Sequence, residues 1–154
     1  MDKIAGVVGL GIMGGAMAKN LLEAGFTVYG FDVSEEARKA FKDRGGVVCD
    51  SPRAVADKAN VVILSLPSVA ALDEVTSGQA GLPTSANKHV VAMEMSTLPI
   101  EAKKRAHDAL KAKGLTLLDC PVSGTGAQAW NKDLVVFGSG DEKAFKSCQG
   151  VLEG

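Results

Sequence analysis

The chain has 154 residues, the usual length of one domain and enough to bury a continuous core. Hydrophobic residues make up 46% and charged residues 23%, a globular balance that excludes a disordered tail. The formal net charge is −1 with no basic run to displace counterions from phosphates, so nucleic acid is not an expected partner.

Strand and helix signals alternate along the chain. Lys3 to Gly9 is a valine-rich run suited to a strand buried on both faces. Ile12 to Ala24 changes period, with Met13, Met17 and Leu21 at helical spacing and Gly25 as the stop. Phe26 to Asp32 reads as a second strand, and Ser34 as the N-cap of a helix from Glu35 to about Asp43. Val47-Val48 is a brief third strand, and Ser51-Pro52 opens a short helix. Val61 to Leu66 predicts a fourth strand stopped by Pro67, followed by a helix near Ala70 to Thr76 and a loop from Gly78 to Thr84. Val90 to Met95 is the fifth strand, Ile100 to Lys113 a long amphipathic helix, and Leu115 to Asp119 the sixth strand. Leu134 to Phe137 is expected to add a seventh strand before a last helix near Asp141 to Gln149.

This repetition with short connections predicts an α/β fold built as a doubly wound, mostly parallel sheet in a single three-layer domain spanning 1–154. No segment approaches the roughly 20 apolar residues of a bilayer span, so no membrane partner is expected. Met1-Asp2-Lys3 leads into a stretch broken by glycines, unlike a secretory signal. Cys49, Cys120 and Cys148 are odd in number and far apart without a CxxC pair. That spacing points to a reducing, cytoplasmic setting and away from a disulfide framework or a metal site.

Gly9-Leu10-Gly11-Ile12-Met13-Gly14 fits GxGxxG and stands between the first strand and the first helix, where a Rossmann-type dinucleotide site requires it. Gly9 permits the tight turn, Gly11 leaves room for a pyrophosphate, and Gly14 brings the helix close to the strand. The helix N-terminus then offers unpaired N–H groups to phosphate. Asp32 ends the second strand about 20 residues on, where a carboxylate accepts both ribose hydroxyls and repels a 2′-phosphate. The same residue could instead start a turn or cap the following helix. The ribose reading predicts NAD over NADP, since the nearest basic residue, Arg38, lies well into the next helix.

The run from Gly9 to Leu21, GLGIMGGAMAKNL, resembles the opening of the β-hydroxyacid dehydrogenases, the family of 3-hydroxyisobutyrate dehydrogenase, tartronate semialdehyde reductase and 6-phosphogluconate dehydrogenase. Ser65-Leu66-Pro67, Met95-Ser96-Thr97-Leu98-Pro99 and Asp119-Cys120-Pro121-Val122-Ser123-Gly124 resemble further segments of that family. All three lie at carboxyl ends of predicted strands, the edge where open α/β sheets bind ligands. The resemblance implies hydride transfer between NAD and a small β-hydroxyacid, with Leu66, Pro67 and Thr97 along the dinucleotide and Ser123, Gly124 and Thr125 on the substrate carboxylate. Read by themselves, Thr97 can cap the next helix, and Ser123-Gly124-Thr125 can be either an anion cradle or a plain glycine turn.

Two departures touch the substrate side: Thr125 stands where the family usually has a second glycine, and Gln128-Ala129-Trp130 replaces its glycine-alanine neighbourhood. The resemblance also implies a catalytic lysine, with an asparagine four residues later, beyond residue 154, and a helical domain that closes the site and forms the dimer. The chain alone is therefore expected to bind cofactor and turn over little or nothing. A noncatalytic nucleotide-binding module and an imine reductase-like domain are the alternatives.

Lys103, Lys104, Lys111 and Lys113 read as a solvated helix face, with Glu101 and Arg105 spaced for an ion pair. His89 and His107 read as surface residues without a nearby carboxylate, Met13, Met17, Met93 and Met95 as packing, and Cys120 as a small buried filler. Glu94 is out of place in a strand and either pairs with a neighbouring helix or faces the cofactor edge. Trp130 covers the site, meets a partner or is buried within the domain.

Overall fold

The computed structural model describes residues 3–123, 126–131, 135–136 and 140–152. Six strands form one parallel sheet: β1 (Ile4–Val8), β2 (Thr27–Phe31), β3 (Val47–Val48), β4 (Val61–Leu64), β5 (Val91–Glu94) and β6 (Thr116–Asp119). Their order is β3-β2-β1-β4-β5-β6. The chain builds outward from β1 through β2 and β3, then returns to the other side of β1 and continues through β4. Connections after β1 and β4 therefore part in opposite directions and leave a crevice at the carboxyl edge.

Buried aliphatic runs explain the strands, because parallel strands are covered on both faces. Alternate residues feed two cores. Val8, Val62, Leu64, Ala92 and Leu117 pack with α3 (Pro52–Lys58), α4 (Val69–Ser77) and α5 (Ile100–Lys111). Ala5, Val7, Val28, Ile63, Met93 and Leu118 pack on the opposite face with α1 (Ile12–Glu23), α2 (Glu35–Asp43) and the carboxyl-terminal segment. The result is the expected doubly wound, three-layer arrangement. Among the described residues no helix is long and apolar enough to cross a membrane.

Several expectations need correction. Val135–Val136 forms β8, which pairs antiparallel with β7 (Val122–Ser123) in a separate two-stranded ribbon rather than joining the sheet as a seventh strand. A short run of valines fixes strand character but not its partner. A helical turn, α6 (Gly126–Trp130), occupies a segment to which the sequence pattern assigns no element. Asn20 Nδ2 on α1 donates to the Ala129 carbonyl at 2.6 Å, and Lys19 Nζ to the Trp130 carbonyl at 2.8 Å, holding α6 against α1. The final helix is two pieces, α7 (Glu142–Ser147), capped by Asp141, and α8 (Gln149–Leu152). The fourth strand stops at Leu64, two residues before Leu66.

On α5 the lysines are not all solvated. Lys103 is only 7% exposed, with Nζ 2.7 Å from Asp119 Oδ1 at the end of β6. Arg105 pairs with Asp73 of α4 at 3.0 Å rather than with Glu101, because α4 packs alongside. His107 Nδ1 lies 3.2 Å from Asp108 Oδ1 on the exposed face, so it does have a carboxylate neighbour. Met17, Met93, Met95 and Cys120 are buried, as packing residues should be.

Candidate dinucleotide site

Only Gly9, Leu10 and Gly11 separate β1 from α1, so the turn between them must be tight. Gly9 has φ +96°, and a Cβ there would lie 1.9 Å from the Ser65 carbonyl oxygen. A Cβ on Gly14 would lie 1.8 Å from the Gly9 carbonyl oxygen. These two glycines allow the turn to close against the end of β4. Gly11 differs, since a Cβ there would meet nothing within 4 Å among the described residues beyond its chain neighbours. Its missing side chain opens a space instead of relieving a contact. Gly11 is also the N-cap of α1, and no side chain caps that helix. The first N–H groups of α1 have no intrahelical acceptor by helix geometry, and they face that opening with the positive end of the helix dipole.

Asp32 stands beside this turn. Its Oδ2 accepts from Leu10 N–H at 2.7 Å and its Oδ1 from Ser34 N–H at 2.8 Å. An ionised carboxylate offers about four lone-pair sites, so both oxygens retain capacity for hydroxyl donors. The helix-capping role goes to Ser34, whose Oγ accepts from Ala37 N–H at 3.2 Å. Arg38 is nearer than its place in α2 implies, because Nη1 reaches back to the carbonyls of Asp32 at 2.7 Å and Val33 at 3.2 Å. It binds main-chain oxygens and leaves the Asp32 carboxylate without an ion pair among the described residues.

Leu66 and Pro67 follow β4, and Thr97 follows β5, on the same edge. Leu66 is partly buried, whereas Pro67 and Thr97 are exposed. Thr97 does not cap α5: that helix starts after Pro99 and has no side-chain cap. Ser68, overlooked behind Pro67, caps α4 through Ala71 N–H at 3.1 Å. Below these loops Glu94 is buried, with Oε1 accepting from Ser96 N–H at 2.5 Å. Burial pushes its carboxyl above the ordinary value of 4.5, against the opposing effect of the Ser96 hydrogen bonds and the Lys103 charge.

The structure thus brings Gly9, Leu10, Gly11, Ile12, Met13, Gly14, Asp32, Leu66, Pro67 and Thr97 to the carboxyl edge of one sheet. Ser123 lies in β7, and Gly124 and Thr125 fall outside the described residues. A cleft of about 460 Å³ adjoins Gly11 and Ile12 but runs between α1 and α2 toward Arg44 and Trp130. It includes none of Leu66, Pro67 and Thr97, but it shares Leu10, Gly11 and Ile12 with the glycine turn. Trp130 is 42% exposed, with Lys19 Nζ 4.2 Å and Arg44 Cζ 5.1 Å from its ring centre. Sequence reasoning named Ser96 only within a family segment and set Arg38 aside as lying well into the next helix. A serine two residues after a strand glutamate, and an arginine one helical turn after Ser34, were the available signals.

Residues 4–154 match the family described as the NAD binding domain of 6-phosphogluconate dehydrogenase. The chain is 35% identical over 148 residues to mitochondrial 3-hydroxyisobutyrate dehydrogenase of Mus musculus, covering 96% of this chain and 44% of that protein. It is 32% identical over 152 residues to L-threonate dehydrogenase of Cupriavidus necator, covering 99% and 51%. Among solved structures, Mycobacterium tuberculosis 3-hydroxyisobutyrate dehydrogenase with L-serine superposes with a TM-score of 0.86 at 29% identity, covering 99% of this chain and 52% of that one. The chain spans about half the length of the curated relatives it matches.

Proposed function

The chain belongs to the family of NAD binding domains typified by that of 6-phosphogluconate dehydrogenase, and from this we propose that it holds NAD for hydride transfer to and from a small β-hydroxyacid. The observation that carries the reading is the contrast among the glycines: Gly9 and Gly14 are packed tight while Gly11 opens onto space at an uncapped helix N-terminus. That space is the cradle a pyrophosphate needs. The nicotinamide, when bound, supplies the hydride chemistry. The chain's own residues bind and orient. N–H groups at the start of α1 hold phosphate oxygens, and Asp32 accepts the adenosine ribose hydroxyls.

In this proposal Leu66, Pro67 and Thr97 form the wall on the β4 and β5 side, and Ser123, Gly124 and Thr125 hold the substrate carboxylate. Holding both reactants in one geometry lowers the entropic part of the barrier. NAD is favoured over NADP because the Asp32 carboxylate repels a 2′-phosphate, and Arg38 is committed to main-chain carbonyls. The names of the relatives support a short hydroxyacid as substrate. Residues 1–154 act as one dinucleotide-binding domain, and proton transfer falls to a lysine beyond them, in a helical domain that also makes the oligomer.

Calorimetric titration of the chain with NADH and NADPH, alongside Asp32→Asn, tests the reading. NADH is expected to bind at least about tenfold more tightly than NADPH, a difference of roughly one charged contact, and Asp32→Asn to erase that preference. Failure to bind either nucleotide, or equal affinity for both, would overturn it.

A further inference from the structure

Glu94 is fully buried at the end of β5, and its Oε2 has no hydrogen-bond partner among the described residues. A leucine would fill the volume without the cost of desolvating a carboxyl. What the carboxyl does is visible in its other oxygen. Oε1 accepts from Ser96 N–H at 2.5 Å. Ser96 Oγ in turn accepts from Leu66 N–H at 2.7 Å. Ser96 thus donates its N–H to Glu94 and accepts Leu66 N–H on its hydroxyl, joining the two.

This relay begins where the sheet stops. The β4–β5 register ends at Leu64 and Glu94, and the last backbone bond between them runs from Met95 N–H to the Leu64 carbonyl at 2.9 Å. Beyond it, Ser96 and Glu94 take over and join the loop bearing Leu66 and Pro67 to the loop bearing Thr97. By strand alternation Glu94 shares a face with Ala92, the face covered by α5, where Lys103 is paired with Asp119.

We propose that Glu94 is a positioning residue that, through Ser96, fastens the Leu66–Pro67 loop to the Thr97 loop so that the two form one wall of the dinucleotide crevice. The proposal rests on the crevice being the dinucleotide site. Raised affinity of the buried carboxyl for its proton agrees with it, because a neutral acid still offers Ser96 an acceptor oxygen.

The test is NADH affinity, with melting temperature measured without nucleotide, in Glu94→Gln, Glu94→Leu, Ser96→Ala and the Glu94→Leu/Ser96→Ala double variant. Gln keeps the size and the acceptor oxygen and is expected to bind NADH within about twofold of the unaltered chain. Leu and Ala each remove the relay and are expected to weaken NADH about tenfold, the effect of one well-placed hydrogen bond. The double variant is expected to be no weaker than the weaker single one, since both cut the same connection. Should Glu94→Leu not fold, Ser96→Ala against Glu94→Gln decides. Melting temperatures that fall while NADH affinity stays unchanged would overturn the proposal, as would a Gln variant as weak as Leu. No NADH binding by the unaltered chain would overturn the site itself and this role with it.

Discussion

A methyl group added at Gly11 meets no atom of the described residues within 4 Å beyond its chain neighbours, whereas one added at Gly14 lies 1.8 Å from the Gly9 carbonyl oxygen. Packing separates the glycines of the motif by the room that each one has. Gly11→Ala is expected to change cofactor-free stability by less than about 1 kcal/mol, because its backbone is extended and unstrained. It is expected to weaken NADH by at least about tenfold, since the new methyl projects into the phosphate cradle. Gly14→Ala is expected to cost about 3 kcal/mol, at the upper end of overpacking, because the obstacle is main chain. Urea midpoints and NADH titration of the two variants separate these effects, and a Gly11→Ala protein that binds normally would remove the cradle. The motif and Asp32 were legible in sequence because a turn, a helix start and a strand end are local features. Arg38's return to the Asp32 and Val33 carbonyls was not, because it depends on how α2 leaves the sheet.

Helix starts divide into two kinds. Ser34, Ser51 and Ser68 cap α2, α3 and α4, each accepting from the N–H three residues on. α1 has no side-chain cap and points its N-terminus at the crevice. A side chain at that position would occupy the N–H groups that phosphate needs. Ser51→Ala and Ser68→Ala are each expected to lower stability by about 1 kcal/mol in denaturant melts and to leave NADH affinity unchanged. A drop in NADH affinity on Ser51→Ala would show that α3 reports to the site. Ser34 was readable as a cap, and Ser51-Pro52 as a helix start, because each precedes a clear helical stretch. Ser68 was hidden by Pro67, which also explained the end of the strand. The ribbon of β7 and β8 was half legible, as strand character without a partner.

At the scale of the whole molecule, the buried Glu94 links stability to pH. Burial raises its carboxyl above 4.5, so the folded chain holds that proton more tightly than the unfolded chain does. As pH rises from about 4.5, the unfolded chain ionises first, and the stability this group contributes is lost until the folded carboxyl ionises too. Lys103 lowers the shift and Asp119 raises it, so both belong to the same response. Urea midpoints between about pH 4.5 and neutrality should fall more steeply for the unaltered chain than for Glu94→Gln, which cannot ionise. Parallel slopes would show that Glu94 titrates normally. The sequence by itself determined the alternating elements, the glycine turn, the acid at the end of β2 and the helix boundaries near serine and glycine. Each follows from residues adjacent in the chain, where propensity and period act. Only the tertiary structure decided that Lys103 is buried on Asp119, that Arg105 reaches Asp73, and that Glu94 works through Ser96 on Leu66. Those partners lie 16 or more residues apart, apart from the Glu94–Ser96 step. They meet because the sheet order places β4, β5 and β6 side by side with α4 and α5 packed over them.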